Sequence, residues 1–185
     1  MRIEVHVHGD LVICKGVTRA QIETAIQPWL EYVDVDTLDE AKSSLPEEPG
    51  INFDPANRTL EICWTGHIGR SFQHRLEQAL HALGPLTEQA AEVDVNLYHE
   101  SGEEENQIIF VGPTPETIHE AQRQRMLDDV SHLLSRQFGQ EAVEEVLSVV
   151  NGLFAREWQR KLNSDGELDL AYLQNSTGPG RRHLH

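Results

Sequence analysis

Alternating apolar and polar residues near the start of the chain constrain the fold more than any other feature. Ile3, Val5 and Val7 are separated by the polar residues Glu4 and His6. A period of two with β-branched residues is typical of a strand that has one buried face and one wetter face. Because such a strand needs neighbours for hydrogen bonding and a layer to cover its apolar side, the chain is predicted to build a sheet.

The first 112 residues carry patterns for seven elements in the order β-α-β-β-α-β-β. The predicted segments are strand 2–14, helix 18–33, hairpin 51–64, helix 71–83, strand 92–98 and strand 108–111. Gly9 and Asp10 are predicted to bend the first strand or to mark a hairpin, and an acidic turn is predicted over 101–107. The first six elements match the split βαβ motif of a ferredoxin-like α+β fold, in which two helices cover one sheet face. The seventh is predicted as an extra antiparallel edge strand, fully apolar and either central or covered.

The pattern changes to long helices after Gly112. Thr114 is predicted to cap a helix that begins with Pro115, and a second helix follows from about Glu141 to Leu162. Both helices carry an apolar stripe, so this helical hairpin is predicted to pack on the open sheet face or on a second copy of the chain. The predicted organisation is a ferredoxin-like domain over 1–112, a C-terminal two-helix hairpin over 113–162 and a disordered tail over 163–185.

The charge balance argues against several classes of partner. The chain of 185 residues has 31 acidic side chains against 15 Lys and Arg, for a formal net charge of −16. Phosphate binding requires clustered basic side chains, so direct binding to nucleic acid or to an anionic membrane is not expected. Two cysteines, no apparent secretory signal and no apolar run of membrane-spanning length predict a cytoplasmic protein.

The acidic residues are concentrated in two stretches of predicted loop and wet strand. No Lys or Arg occurs between Arg75 and Arg123, and only Lys42 relieves the stretch from 31 to 48. Such surfaces attract basic partners, although a run of charge is often only a solvated surface. The predicted partner-binding residues are Asp34, Asp36, Asp39, Glu40, Glu47, Glu48, Glu100, Glu103, Glu104 and Glu105.

A metal site is a second possibility on the polar face of the first strand. Glu4, His6 and His8 leave the same face at alternate positions, about 7 Å apart. Two imidazoles and a carboxylate suit zinc or iron, and no other cofactor is predicted. In a ferredoxin-like sheet the neighbouring strands would add polar residues beside them, namely Glu61, Cys63, Asp94, Asn96 and Tyr98. The alternative is an ordinary polar outer face, or a face that the C-terminal helices cover.

No motif for catalysis is recognisable in the sequence. The chain has no nucleophile elbow, no Ser-x-x-Lys, no phosphate-binding glycine loop and no dinucleotide fingerprint. Trp29, Trp64 and Trp158 occupy apolar register positions, which favours core packing over a ligand box. The protein is therefore predicted not to be an enzyme.

Three functional hypotheses follow from these patterns. The first is a non-enzymatic interaction module that docks on a basic protein, for example a nucleic-acid-binding one, and that forms a homodimer through its helical hairpin. A concrete version is an inhibitor of a nucleic-acid-handling machine, similar in charge to anti-restriction or anti-CRISPR decoys. The second is a metal-binding protein or metal-dependent enzyme that uses Glu4, His6 and His8. The third is a structural or assembly subunit whose acidity only secures solubility.

Overall fold

A computed structural model describes residues 3–164 as an α+β fold. The strands are β1 Ile3–Val12, β2 Gly50–Asp54, β3 Thr59–Ile68, β4 Ala91–His99 and β5 Glu104–Val111. The α-helices are α1 Arg19–Ala25, α2 Gln27–Tyr32, α3 Phe72–Leu83, α4 Pro115–Leu134 and α5 Gln140–Ser164. The tail predicted over 163–185 lies outside the described residues, except that α5 extends to Ser164.

The five strands form one antiparallel sheet in the order β2-β3-β1-β4-β5. β1 is central, and it pairs with β3 on one side and with β4 on the other. The alternation predicted for β1 is confirmed, because Val5, Val7 and Leu11 are fully buried while His8 is exposed. The two sheet faces therefore have different environments.

Helices α1, α2 and α3 supply the apolar side chains that cover the buried face. Ile22, Trp29 and Leu76 from these helices belong to the same core as Val5 and Val7. Within it, Trp29 meets Trp64 edge-on at a centroid distance of 5.5 Å. Edge-to-face aromatic pairs add to the stability that comes from burial alone. Core packing is thus confirmed for Trp29 and Trp64.

The helix predicted over 18–33 is in fact two helices. Thr18 caps α1 as expected, and its side chain accepts a hydrogen bond from the amide of Gln21. The chain leaves helical geometry at Ile26 and starts again in α2, where Pro28 lies in the first turn. Proline has no N–H to donate and its ring clashes with the preceding turn, so an uninterrupted helix was the wrong prediction.

The bend or hairpin predicted at Gly9 and Asp10 is also wrong, since β1 is continuous across both residues. A Cβ atom on Gly9 would lie 2.8 Å from the carbonyl oxygen of Glu92 and 3.2 Å from the Cα of Val93. The glycine therefore serves the close approach of β4 to β1. A glycine in a strand pattern can therefore indicate the close approach of another backbone, as well as a turn.

β5 begins earlier than predicted, so the acidic turn is shorter. Glu104 and Glu105 belong to the strand and pair with Tyr98 and Leu97 of β4. β5 lies at the edge of the sheet, and Ile109 and Val111 join the main core. Phe110 is buried on the other side by the C-terminal helices, with Ile108 packed against the same cluster, so the strand is covered rather than central.

The two C-terminal helices contact each other and the β5 edge. Thr114 caps α4 and Pro115 is its first residue, as predicted. α4 ends at Leu134, so Phe138 lies in the connection to α5 and not in the helix. Ile118 packs on Phe110, and Trp158 lies against this small cluster. Among the described residues, no helix is both long and apolar enough to cross a membrane.

Gly50 is expected to be indispensable for the chain path into β2. Its φ is +81°, and a Cβ there would lie 2.4 Å from the carbonyl oxygen of Ala41. Gly102 has the same φ of +81° with open space around it. Gly102→Ala should therefore cost about 1 kcal/mol of unfolding free energy from backbone strain alone. Gly50→Ala should cost at least about 3 kcal/mol, because strain and a backbone clash combine.

Chemical denaturation of the two variants beside the unsubstituted chain measures this difference. Equal losses in the two variants would show that the close approach to Ala41 has no energetic weight.

Candidate functional site

The polar face of the sheet carries the residues predicted to bind metal. His6 pairs with Thr65 of β3 and Asn96 of β4, and His8 pairs with Cys63 and Asp94. Cys63 and Asp94 therefore lie beside the strand as expected. His8 is exposed, so the C-terminal helices do not cover this part of the face.

The structure groups His6 with Glu48 and Cys63. One potential ligand atom from each of these three side chains lies within 4.8 Å of the other two. His8 stacks on His6 with ring centroids 6.3 Å apart, while Glu4 is exposed opposite His67 and Tyr98. The predicted set of Glu4, His6 and His8 thus shares one face, but the close group draws two of its members from elsewhere.

Glu48 reaches this face because the segment before β2 folds over β3. We call residues 42–49 the strap. The amide of Ser44 donates to the Thr65 carbonyl at 2.8 Å, and the Trp64 indole N–H donates to the Lys42 carbonyl at 3.0 Å. Two hydrogen bonds that involve backbone atoms of the strap therefore fix it to β3.

The Glu48 carboxylate is held by hydroxyl groups. Ser43 Oγ donates to its Oε2 at 2.5 Å, and Thr65 Oγ1 donates to its Oε1 at 3.1 Å. His6 Nδ1 lies 2.9 Å from Thr65 Oγ1 and 3.4 Å from Glu48 Oε1. Because both carboxylate oxygens have partners, the side chain is oriented before any ligand arrives.

Cys63 is a poor nucleophile in this environment. Its pKa is raised above the usual value for a thiol, first by burial and then by the negative charges of Glu48, Glu61 and Asp10. The neutral thiol is therefore favoured at pH 7. Activated cysteines have lowered pKa values beside positive charge, which is the opposite arrangement.

The acidic residues predicted to bind a partner do not all have the same role. Asp39 pairs with Arg19 at 2.8 Å, and Glu40 accepts a hydrogen bond from the amide of Asp36 at 3.1 Å. Glu48 belongs to the strap network, which was not foreseen. The other members are exposed at the surface, namely Asp34, Asp36, Glu47, Glu100, Glu103, Glu104 and Glu105.

The strap and the β4–β5 turn lie at the same end of the sheet. β1 and β5 begin there and β3 and β4 end there, as the pairing of Ile3 with Ile68 and His99 shows. The strap lies on the β2–β3 side, and the turn with Glu103 lies on the β5 side. Four strand spacings separate the two edges, which is about 19 Å. The end of the sheet is therefore acidic at both edges.

The helical hairpin exposes a row of large apolar side chains. Leu133 is 64% exposed, Phe138 is 58% exposed and Val149 is 60% exposed. Met126, Val146, Leu153 and Leu162 are exposed as well. Single exposed apolar residues are common on soluble proteins, but a continuous patch is typical of an interaction surface.

The exposed apolar side chains of α4 and α5 lie on the same side of the hairpin. His119 contacts Phe154 and Trp158, and Arg123 Nη1 donates to Asn151 Oδ1 at 2.8 Å, so the helices run antiparallel. At 3.6 residues per turn, the apolar stripe lies about 50° before the contact line on α4 and about 140° before it on α5. For an antiparallel pair, offsets in the same rotational sense put both stripes on the same side of the plane through the two helix axes. We call Met126, Leu133, Val146, Val149 and Leu153 the hairpin face.

His119 is a titratable group in the contact between the helices. Its ring stacks on Trp158 with centroids 4.4 Å apart. Burial lowers its pKa, and Lys161 and Arg123 lower it further, while Glu120 opposes the shift. The neutral imidazole is therefore the form that fits between the helices.

The hairpin contact is expected to weaken in acid. Because the folded-state pKa of His119 is lowered, its contribution to stability is complete above the unfolded-state value, near 6.5. It is lost as the pH falls towards the folded-state pKa, since the unfolded chain then binds the proton more readily. His119→Phe keeps the stacking and removes the titration.

Denaturant unfolding of both proteins from about pH 7.5 to about pH 5 measures this effect. The unsubstituted chain should lose stability relative to His119→Phe as the pH falls. Parallel pH profiles would contradict the assignment.

Comparison with known proteins identifies a family but no characterised relative. Residues 3–155 match the model of a family of unknown function, DUF6806. No curated protein and no solved structure matches the chain. The match covers the whole sheet, the helices that bury it and α5 as far as Ala155.

Proposed function

We propose that this chain, which belongs to the DUF6806 family, is a non-enzymatic protein-interaction module. The observation that carries the proposal is the hairpin face, a set of large apolar side chains that the described part of the chain leaves in solvent. Among the residues of these helices whose burial is described, only Ile118 and Val143 are buried. An apolar surface of this kind is stabilised when a partner covers it.

The proposed architecture is a ferredoxin-like domain over 1–112 followed by a two-helix hairpin over 113–162. The strand order β2-β3-β1-β4 and its antiparallel pairing support the first part, with β5 added at the edge. The contacts of His119 and Arg123 with α5 support the second. In this arrangement the hairpin meets the sheet mainly at β5.

A second copy of the chain is the occupant that fits the hairpin face best. A two-helix layer with a stripe along each helix matches an identical layer, and together they make an antiparallel four-helix bundle. Homodimers use self-complementary surfaces of this type more often than any other symmetric assembly. The dimer would leave both acidic ends of the sheet accessible.

The size of the hairpin face indicates a reversible dimer. Residues 140–153 span about 21 Å, and two helices side by side are about 20 Å wide. The footprint is therefore about 400 Å² on each copy, or about 800 Å² in total, which is the size of a weak, transient interface. The cost of association offsets much of the gain from burial, so a micromolar dissociation constant is expected.

The proposed hetero-partner is a basic protein that docks on the acidic end of the sheet. The net charge of −16 and the exposed carboxylates of Glu103, Glu104 and Glu105 support this assignment. Basic surfaces inside cells often belong to nucleic-acid-binding proteins. An inhibitor that occupies a nucleic-acid groove, of the anti-restriction or anti-CRISPR kind, is the concrete form of the proposal. A structural or assembly subunit is the alternative, and it would need the hairpin face but not the acidic end.

Substitution on the hairpin face is expected to weaken dimerisation. Val149→Glu puts a charge on an exposed apolar position, whereas Ser148→Glu adds the same charge to the preceding residue, away from the stripe. Val149→Glu should weaken the dimer at least about tenfold and Ser148→Glu should have little effect. Light scattering after size-exclusion chromatography, over a range of protein concentrations, measures the mass against 20.9 kDa for the single chain.

Repeating the light-scattering measurement at several salt concentrations gives an independent check on the dimer. The two copies repel each other through their negative charge, so raising the salt concentration should strengthen the dimer. A monomeric unsubstituted chain at every concentration, or equal effects of the two variants, would overturn the proposed dimer.

Binding to a basic partner is expected to depend on salt in the opposite direction. A fluorescent peptide of ten lysines serves as the probe, and its polarisation reports binding at about 50 and about 200 mM salt. Neutralising Glu103, Glu104 and Glu105 to Gln should weaken binding several-fold more than neutralising Glu141, Glu144 and Glu145 of α5. Both variants lose three charges, so the comparison separates the acidic end of the sheet from the overall field.

Equal losses in the two variants would contradict a docking surface at the β4–β5 turn. Binding that persists unchanged at high salt would contradict a charged interface altogether.

A further inference from the structure

We infer that His6, Glu48 and Cys63 form a binding site for a divalent metal ion of the zinc class. The inference does not rest on the proposed interaction function, because the site and the hairpin face share no residue. It replaces the trio of Glu4, His6 and His8 that the sequence suggested. The three ligands come from β1, the strap and β3, and His6 is the one that both sets share.

The donor atoms have the spacing and chemistry that zinc requires. Imidazole nitrogen, carboxylate oxygen and thiolate sulfur are its usual protein ligands, at about 2.0–2.3 Å from the ion. In a tetrahedron of that size the ligands lie about 3.4–3.8 Å from one another. The three donors lie within 4.8 Å of one another, and His6 Nδ1 is 3.4 Å from Glu48 Oε1. Small side-chain rotations therefore close the site.

The surroundings of the three ligands hold them in place. β1 and β3 are adjacent strands in the centre of the sheet, so His6 and Cys63 have fixed backbones. Ser43 and Thr65 both donate to the Glu48 carboxylate. Hydrogen bonds to a ligating carboxylate orient it and tune the metal, and they are a regular feature of metal sites.

Thr65 must change one contact when the ion binds. Its hydroxyl now lies 2.9 Å from His6 Nδ1, the nitrogen that faces Glu48. The ion takes that place on the imidazole, whose proton then lies on Nε2, and the Cys63 thiol releases its proton to solvent. The hydroxyl keeps its hydrogen bond to Glu48. Without metal, the polar groups of the site are hydrogen-bonded to one another. When the ion binds, the contact between Thr65 and His6 is lost and three stronger bonds to the ion form.

The electrostatic field at the site favours a cation. Glu61 and Asp10 act on Cys63 in addition to Glu48, and all three are negative. His6 and Glu48 remain partly accessible, with side chains 27% and 13% exposed, so an ion can enter from solvent. His8, whose ring stacks on that of His6, is the candidate for a fourth ligand after a change of rotamer.

The test is a titration of the full chain with Co²⁺ and Zn²⁺. His183 and His185 are replaced by Ala throughout, so that these imidazoles cannot bind the ion, and no affinity tag is left on the chain. We expect one equivalent of Zn²⁺ by calorimetry and a thiolate-to-cobalt charge-transfer band with Co²⁺. Cys63→Ser, Glu48→Gln and His6→Gln should each lower the affinity by about 100-fold or more, and Cys63→Ser should also remove the band.

Two matched controls complete the design. Cys14→Ser removes the other half-buried thiol, and Glu4→Gln removes the carboxylate that the sequence suggested. Both should bind as the parent does. Circular dichroism and the melting temperature without metal establish that each variant is folded. The inference is overturned if the parent binds no stoichiometric metal, if Cys63→Ser keeps the charge-transfer band, or if Glu4→Gln loses as much affinity as Glu48→Gln.

Discussion

The structure depends on the alternation of β1 at the centre of the sheet. Val5, Val7 and Leu11 anchor the core that α1, α2 and α3 complete, so one face is fully covered. The intervening residues, including His6 and His8, must then project from the opposite face. A slip of one residue in the pairing would exchange the two sets, which makes the register a strong constraint. The covered core and the open polar face are two consequences of one pattern.

The sheet and the hairpin present two kinds of exposed surface. Exposed carboxylates lie at one end of the sheet, whereas the exposed apolar residues of α4 and α5 lie on the hairpin. Electrostatic docking weakens with salt because counterions screen it, while self-association between acidic chains strengthens for the same reason. The two proposed interactions therefore have opposite salt dependence. A protein with both surfaces can pair with itself and keep its charged end for another protein.

Sequence patterns predicted the elements well where a local rule determines them. Thr18 and Thr114 begin helices as capping residues, and the strands follow one another along the chain as predicted. The errors occur where tertiary contacts decide, as at Gly9, whose missing side chain serves β4 and not a bend. The sequence predicted Glu48 only as a surface residue, because its approach to His6 depends on how the strap crosses β3. Cys63 was foreseen as a neighbour because strand order alone places it there.

The central claim is that the hairpin face pairs with the same face of a second copy. Nuclear Overhauser effects between methyl groups of isotope-labelled and unlabelled chains, mixed in equal amounts, detect only contacts between different copies. The account predicts such contacts among the methyl groups of Met126, Leu133, Val146, Val149 and Leu153. An absence of contacts between copies at high protein concentration, or contacts confined to another surface, would contradict it.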